Sequence, residues 1–170
     1  MCEIIEKERA VCFTGHRSQK LPWRFNEEDE RCKVMKETLR TELEKVIERG
    51  YRTFLCGMAL GFDMICAETI LALKKKYSGI KIIGALPCKT QDKIWQYKDR
   101  ERYRELLKQL DGIRCKFDTY IGPECMLERN RFMVNNSSLM IALFNGLYGG
   151  TKSTIDYARN QGLEIIIIKP

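Results

Sequence analysis

Six short apolar runs, each parted from the next by a stretch of helical period, leave this chain few folds to choose from. The runs are AVCFT (Ala10 to Thr14), TFLC (Thr53 to Cys56), IKIIGAL (Ile80 to Leu86), Ile113 to Phe117, LMIALF (Leu139 to Phe144) and EIIII (Glu164 to Ile168). Most are continuous rather than alternating, so both faces of each strand must be buried, which helices on either side of a parallel sheet provide. Between them, Cys32, Met35, Leu39, Leu43, Val46 and Ile47 recur at steps of three and four within residues 27–49, and Gly50 stops that helix. Further helices are expected over 61–77, around Tyr103 to Leu110, over 124–136 and over 151–161. Right-handed crossovers then give a three-layer, doubly wound, mainly parallel α/β sheet.

The 170 residues are the usual size of one domain, and no repeat, low-complexity tract or linker divides them, so a single domain over 1–170 is expected. The opening MCEIIEKERA carries acids and lacks the apolar core of a secretory signal, and Ile165 to Ile168 is far too short to cross a bilayer. A cytoplasmic protein without a membrane partner is expected. The eight cysteines, at 2, 12, 32, 56, 66, 88, 115 and 125, include no C-x-x-C pair, and reduced thiols acting as small hydrophobes are the expectation. The formal charge of +7 admits anionic partners, nucleotides or nucleic acid, without choosing between them. The basic stretch KDRERYRELLK has acids interleaved and reads as a solvated helix face.

In such a sheet, ligands bind outside the carboxyl ends of the strands. Four strand ends carry candidate residues: Thr14-Gly15-His16-Arg17, Gly57 to Asp63, Leu86-Pro87-Cys88, and Asn145 to Thr151. Gly57 and Gly61 would let the backbone turn tightly beside Met58 and approach a ligand, and a helix starting near Gly61 would aim free amides at an anion. Asp63 would accept from a ribose hydroxyl or cap that helix. Gly149 and Gly150 precede a helical turn holding Thr151, Lys152, Ser153 and Thr154, a set suited to cradling phosphate, with Thr151 as the alternative N-cap. His16, the only histidine, sits past a strand end as a ligand contact, a proton donor or a turn residue. A lone histidine without clustered cysteines argues against a metal site. Arg129 shares a helix face with Met126 and Met133, beside Asn130, so it needs an anionic partner, either a carboxylate or a ligand phosphate.

TGHR with LPW after it, GMALGFDMICAE, RNRFMV and GGTKSTIDYA together resemble the YpsA-like proteins of the SLOG superfamily over nearly the whole chain. That group joins the DNA-processing protein DprA to the LOG nucleotide hydrolases. The resemblance implies a Rossmann-like fold and a nucleotide-related ligand, an NAD or ADP-ribose derivative among the candidates, in a sensor or regulatory role. LOG enzymes cleave the N-glycosidic bond of nucleoside 5′-monophosphates with R-K-x-x-M and P-G-G-x-G-T-x-x-E motifs. Here Arg129 to Met133 matches the first with Asn130 in place of lysine. Tyr148 to Asp156 matches the second at Gly149 and Gly150, with Tyr148 for proline, Lys152 and Ser153 for Gly-Thr, and Asp156 for glutamate.

Three functions follow as expectations. The first is a nucleotide-binding module using Thr14, Gly15, His16, Arg17, Gly57, Met58, Gly61, Asp63, Pro87, Asn130, Gly149, Gly150, Thr151 and Thr154. The second is a LOG-like hydrolase in which Arg129 orients the substrate and Asp156 assists cleavage. The third is DprA-like binding of single-stranded nucleic acid, ranked last because no aromatic-rich basic stripe runs along the sequence. A homo-oligomer is compatible with all three.

Overall fold

The computed structural model describes residues 4–170, so Cys2 lies outside it. The strands are β1 (Ala10–Gly15), β2 (Thr53–Cys56), β3 (Lys81–Leu86), β4 (Gly112–Cys115), β5 (Leu139–Leu143) and β6 (Glu164–Ile168). Alternating with them are α1 (Glu30–Glu48), α2 (Phe62–Leu73), α3 (Tyr97–Leu107), α4 (Pro123–Asn135) and α5 (Gly150–Asn160). The strands form one sheet in the order β4-β3-β2-β1-β5-β6, and every pairing is parallel. The expected Rossmann-like α/β architecture is therefore what the chain adopts.

Strand alternation sorts the core into two layers. Val11, Phe13, Phe54, Cys56 and Ile82 pack on one face with residues of α1, α2 and α3. Cys12, Leu55, Ile83, Met140 and Ala142 pack on the other with residues of α4 and α5. Of the seven described cysteines, those at 12, 32, 56, 66, 88 and 125 are buried and Cys115 is half-buried. Burial lifts the Cys12 thiol to about 12 and those of Cys56 and Cys66 well above the ordinary range.

The chain order fixes where a ligand crevice can open. From β1 the sheet grows outward through β2 and β3 to β4. Helix α4 then carries the chain back across the sheet and sets β5 on the other flank of β1. The order reverses between β1 and β5, and their carboxyl ends frame the switch point.

Element ends differ from expectation for local reasons. Helix α1 starts at Glu30, not 27, because the Asp29 carboxylate accepts from the Arg31 amide at 2.9 Å and caps it there. Glu27 is instead drawn to Arg102 and Lys36. Helix α3 starts at Tyr97, well before its first buried residue, Tyr103, because its opening turns are solvated and show no apolar period. Arg102 of α3 is not merely solvated: it grips Glu68 of α2 through two 2.7 Å hydrogen bonds and also holds Glu27. The connection from β1 to α1 is thereby tied down, with Leu21 and Trp23 in the core. Among the described residues, no helix is long and apolar enough to cross a membrane.

Candidate functional site

The β1/β5 switch point is bridged by side chains. His16, just past β1, donates from Nε2 to Asn145 Oδ1 at 2.9 Å, just past β5. With the Nε2 proton so placed, Nδ1 accepts from the Thr151 hydroxyl at 3.5 Å. Burial keeps the His16 pKa below the ordinary histidine value, so the ring is neutral at pH 7. Asn145 Oδ1 also accepts from the Leu147 amide at 3.0 Å, fixing the start of the β5–α5 loop.

Because β2, β1 and β5 are neighbours, the loops bearing Gly57, Gly15 and Gly149 share one rim. They are not equivalent. Gly15 points its missing side chain at the α2 face, where the Phe62 ring and its Cβ (2.7 Å) already stand. Gly57, just past the adjacent strand β2, points to the α4 face, where a Cβ would collide with the Arg129 guanidinium and lie 2.7 Å from Asp63 Oδ2. At Gly61, with φ +98°, a Cβ would press on the backbone of His16 to Ser18, 2.8 Å from Ser18 N. These three glycines make room for protein rather than for a ligand. At Gly150 a Cβ would meet open space, and at Gly149 only Lys20 Nζ, 3.9 Å away.

Arg129 is buried, as its helix face requires, but its partner is not the anion expected from sequence. Nη1 donates to the Gly57 carbonyl at 2.6 Å and Nε donates to Asn130 Oδ1 at 2.8 Å, while Nη2 reaches only the Met126 sulfur at 3.6 Å. Asp63 is equally buried, yet no ion pair within 4.0 Å joins the two. Its Oδ2 accepts from the Ala59 amide at 3.2 Å. Burial pushes the Asp63 carboxyl up, and the charges of Arg129 and Arg17 pull it back. Met58 adopts φ +55°, costly for a side-chain-bearing residue, and its carbonyl accepts from Gln91 Nε2 at 3.0 Å. The 57–63 loop is thus braced from α4, from α2 and from the loop after β3.

The remaining sequence candidates divide. Asn130 Nδ2 donates to the Thr154 hydroxyl at 3.1 Å, joining α4 to α5, and Thr154 in turn donates to the Gly150 carbonyl at 2.9 Å. Thr14 is half-buried on β1. Thr151 lies in the first turn of α5 rather than capping it; Gly149 is the N-cap. Pro87 is buried at the end of β3, with β2 between it and β1. Asp156 falls on the side of α5 away from its buried residues Thr151, Thr154, Ile155 and Ala158, and pairs with Lys152 (2.5 Å) and Arg159 (3.5 Å). It cannot act opposite Arg129. Arg17 and Lys20 are exposed on the rim, and their side chains make no ion pair or hydrogen bond among the described residues.

Lys20 and Gln91 escaped the sequence reading, as did the pairing of Asn145 with His16, because the groups they meet stand far away in the chain. So did an aromatic fringe. Phe25, Tyr97, Tyr120 and Tyr148 are 57%, 76%, 56% and 91% exposed; Phe25, Tyr120 and Tyr148 sit on three different connections at the carboxyl end of the sheet, and Tyr97 opens α3. A groove of about 420 Å³ lies elsewhere, between the end of β4 and the outer side of α4, lined by Phe117, Leu127, Arg131 and Phe132 among others.

A model of the YpsA family, described as the YspA SLOG family, matches residues 11–166. The SPbeta prophage-derived protein YoqJ of Bacillus subtilis is 33% identical over 142 residues, covering 76% of this chain and 82% of that protein. A UPF0398 protein of Bacillus pumilus is 25% identical over 154 residues, 89% of this chain and 82% of its own. Among solved structures, DNA processing protein A of Helicobacter pylori, described for a single-stranded DNA binding mode, superposes with a TM-score of 0.64 at 20% identity. DprA of Streptococcus pneumoniae superposes at 0.65 with 15% identity. These alignments take in 96% and 94% of this chain but 66% and 50% of the DprA chains, so this chain spans only part of those proteins. At such identity the likeness concerns the fold. The match across almost all of the sequence settles the family: the chain belongs to the YpsA SLOG family.

Proposed function

We propose that this chain binds a phosphate-bearing nucleotide or nucleotide derivative at the rim between β1 and β5. One observation carries the reading: the open Gly149–Gly150 turn at the start of α5 has Lys20 beside Gly149, and the side chains of Lys20 and Arg17, both shortly past β1, make no ion pair or hydrogen bond among the described residues. Amides at a helix start and unpaired cations favour an anion. The nearby carboxylate, Asp63, feels the charge of Arg17 but is buried, accepts from the Ala59 amide and forms no ion pair with it. Neutral His16 and Thr151 add polar contacts without adding charge. A thermal-shift panel of nucleoside mono-, di- and triphosphates, NAD and ADP-ribose tests this. A rise in melting temperature with at least one, lost in the Arg17→Ala/Lys20→Ala variant, is the expected outcome.

The aromatic fringe supports a second reading, a single-stranded nucleic acid laid across the same rim. Exposed rings stack on bases of any sequence, and cations track the backbone. Arg24 and Lys93 on the same connections also lack ion-pair partners among the described residues. The fold likeness to a DprA described for single-stranded DNA binding is consistent with this reading. Oligonucleotide titration at several salt concentrations separates the two: a steep loss of affinity with salt marks a strand that contacts several cations. The hydrolase reading draws no support from the geometry, because Asp156 is turned away from Arg129 and held by Lys152.

A further inference from the structure

Arg129 and Asn130 form the middle of a continuous hydrogen-bond chain between two loops that do not otherwise need each other. It runs from the Gly57 carbonyl to Arg129 Nη1 (2.6 Å), from Arg129 Nε to Asn130 Oδ1 (2.8 Å), from Asn130 Nδ2 to Thr154 Oγ1 (3.1 Å), and from Thr154 Oγ1 to the Gly150 carbonyl (2.9 Å). The chain admits a single arrangement of protons. A guanidinium only donates, so the Asn130 oxygen must face it and the amide nitrogen must face Thr154. Thr154 then accepts from Asn130 and spends its own proton on Gly150. Arg129 is 6% exposed and Thr154 6%, so water offers neither group an easy substitute partner.

We propose that Arg129 and Asn130 are positioning residues that couple the 57–61 loop to the 149–150 loop, so that an anion held at one stiffens the other. The second half of this statement rests on the binding reading above; the first half concerns the free protein alone. Because the chain is buried and directional, loosening its Thr154 end withdraws the fixed partner of Asn130, and with it the restraint on Arg129 and on the Gly57 carbonyl. Arg129 acts here through the main chain, so no contact with a ligand is required of it.

The test is hydrogen exchange, read by mass spectrometry on the whole chain. In Thr154→Val, which keeps the shape of the side chain but neither donates nor accepts, exchange should speed by about three- to tenfold in 150–154, the worth of one neutral hydrogen bond. A smaller acceleration in the same direction should follow in 57–61, which Thr154 does not touch. Thr154→Ser restores the hydroxyl and should restore wild-type exchange in both segments. Asn130→Asp still accepts from Arg129 but cannot donate to Thr154, so it should free 150–154 more than 57–61. Acceleration confined to 150–154 in Thr154→Val overturns the coupling. A second arm adds AMP at saturating concentration. Coupling in the free protein without any protection by AMP sinks the mononucleotide-binding reading and leaves the relay standing. Protection of 149–154 by AMP that never reaches 57–61 does the reverse.

Discussion

Two glycine-rich turns, one after β2 and one after β5, look alike in sequence and do opposite work. Each ends a strand, each leads into a helix without a side-chain cap, and each lies on the same rim. In the first, the space vacated by Gly57 is taken by Arg129 and Asp63, and that vacated by Gly61 by the backbone at His16 to Ser18. In the second, Gly150 faces open space and Gly149 faces only the tip of Lys20. A glycine can be needed because something outside must come close, or because something inside already has. The first turn is a joint of the scaffold and the second is a mouth.

The contrast is sharpest under alanine substitution. Gly57→Ala must displace a buried guanidinium and carboxylate, so chemical denaturation should report a loss of about 2–3 kcal/mol, the upper range for overpacking. Gly150→Ala meets no atom and sits in the first turn of a helix, so stability should stay within about 1 kcal/mol of wild type. Its methyl group would instead intrude on the anion site, and nucleotide affinity should fall. If both variants lose stability equally, the distinction between joint and mouth fails.

The cations around the mouth give the next effect. Removing Arg17 and Lys20 together should weaken nucleotide binding by roughly tenfold or more, since charge-assisted hydrogen bonds are worth about 1.5–3 kcal/mol each. The melting temperature should barely move, because neither side chain makes an ion pair among the described residues. The salt dependence of binding should flatten in parallel.

The smallest effect belongs to His16. Its folded pKa lies below the ordinary histidine value through burial, so the unfolded chain takes up a proton first as pH falls. The stability it confers is complete above about pH 6.5 and is lost as pH drops through that value toward the folded pKa. His16→Gln should flatten this part of the stability-versus-pH curve, measured by urea titration between pH 5 and 8.

Much of the scaffold was legible in the sequence because burial on both faces writes itself as an unbroken apolar run, as in LMIALF, whose strand β5 is buried throughout; EIIII is a strand too, but at the sheet edge, where Ile168 is buried and Ile167 is exposed. The inward turn of Arg129 was legible too, from the methionines that share its face. What it would meet there was not, because Gly57 lies 72 residues away and a carbonyl leaves no mark in sequence. The same distance hid Asn145 from His16 and scattered the fringe of Phe25, Tyr97, Tyr120 and Tyr148 across three connections and the start of α3, which only the parallel topology gathers. For Asp156, the match to a motif acid says nothing of helix phase. Two residues beyond Thr154 it has rotated off the face that looks toward α4.

Calorimetric titration of AMP and ADP into the wild-type chain and the Arg17→Ala/Lys20→Ala variant puts the most direct question to the β1/β5 rim. Saturable binding to wild type, weakened by about tenfold or more in the variant while both melt alike, is the predicted result. Equal affinity in the two proteins, or no heat from either nucleotide with the wild type, would contradict it.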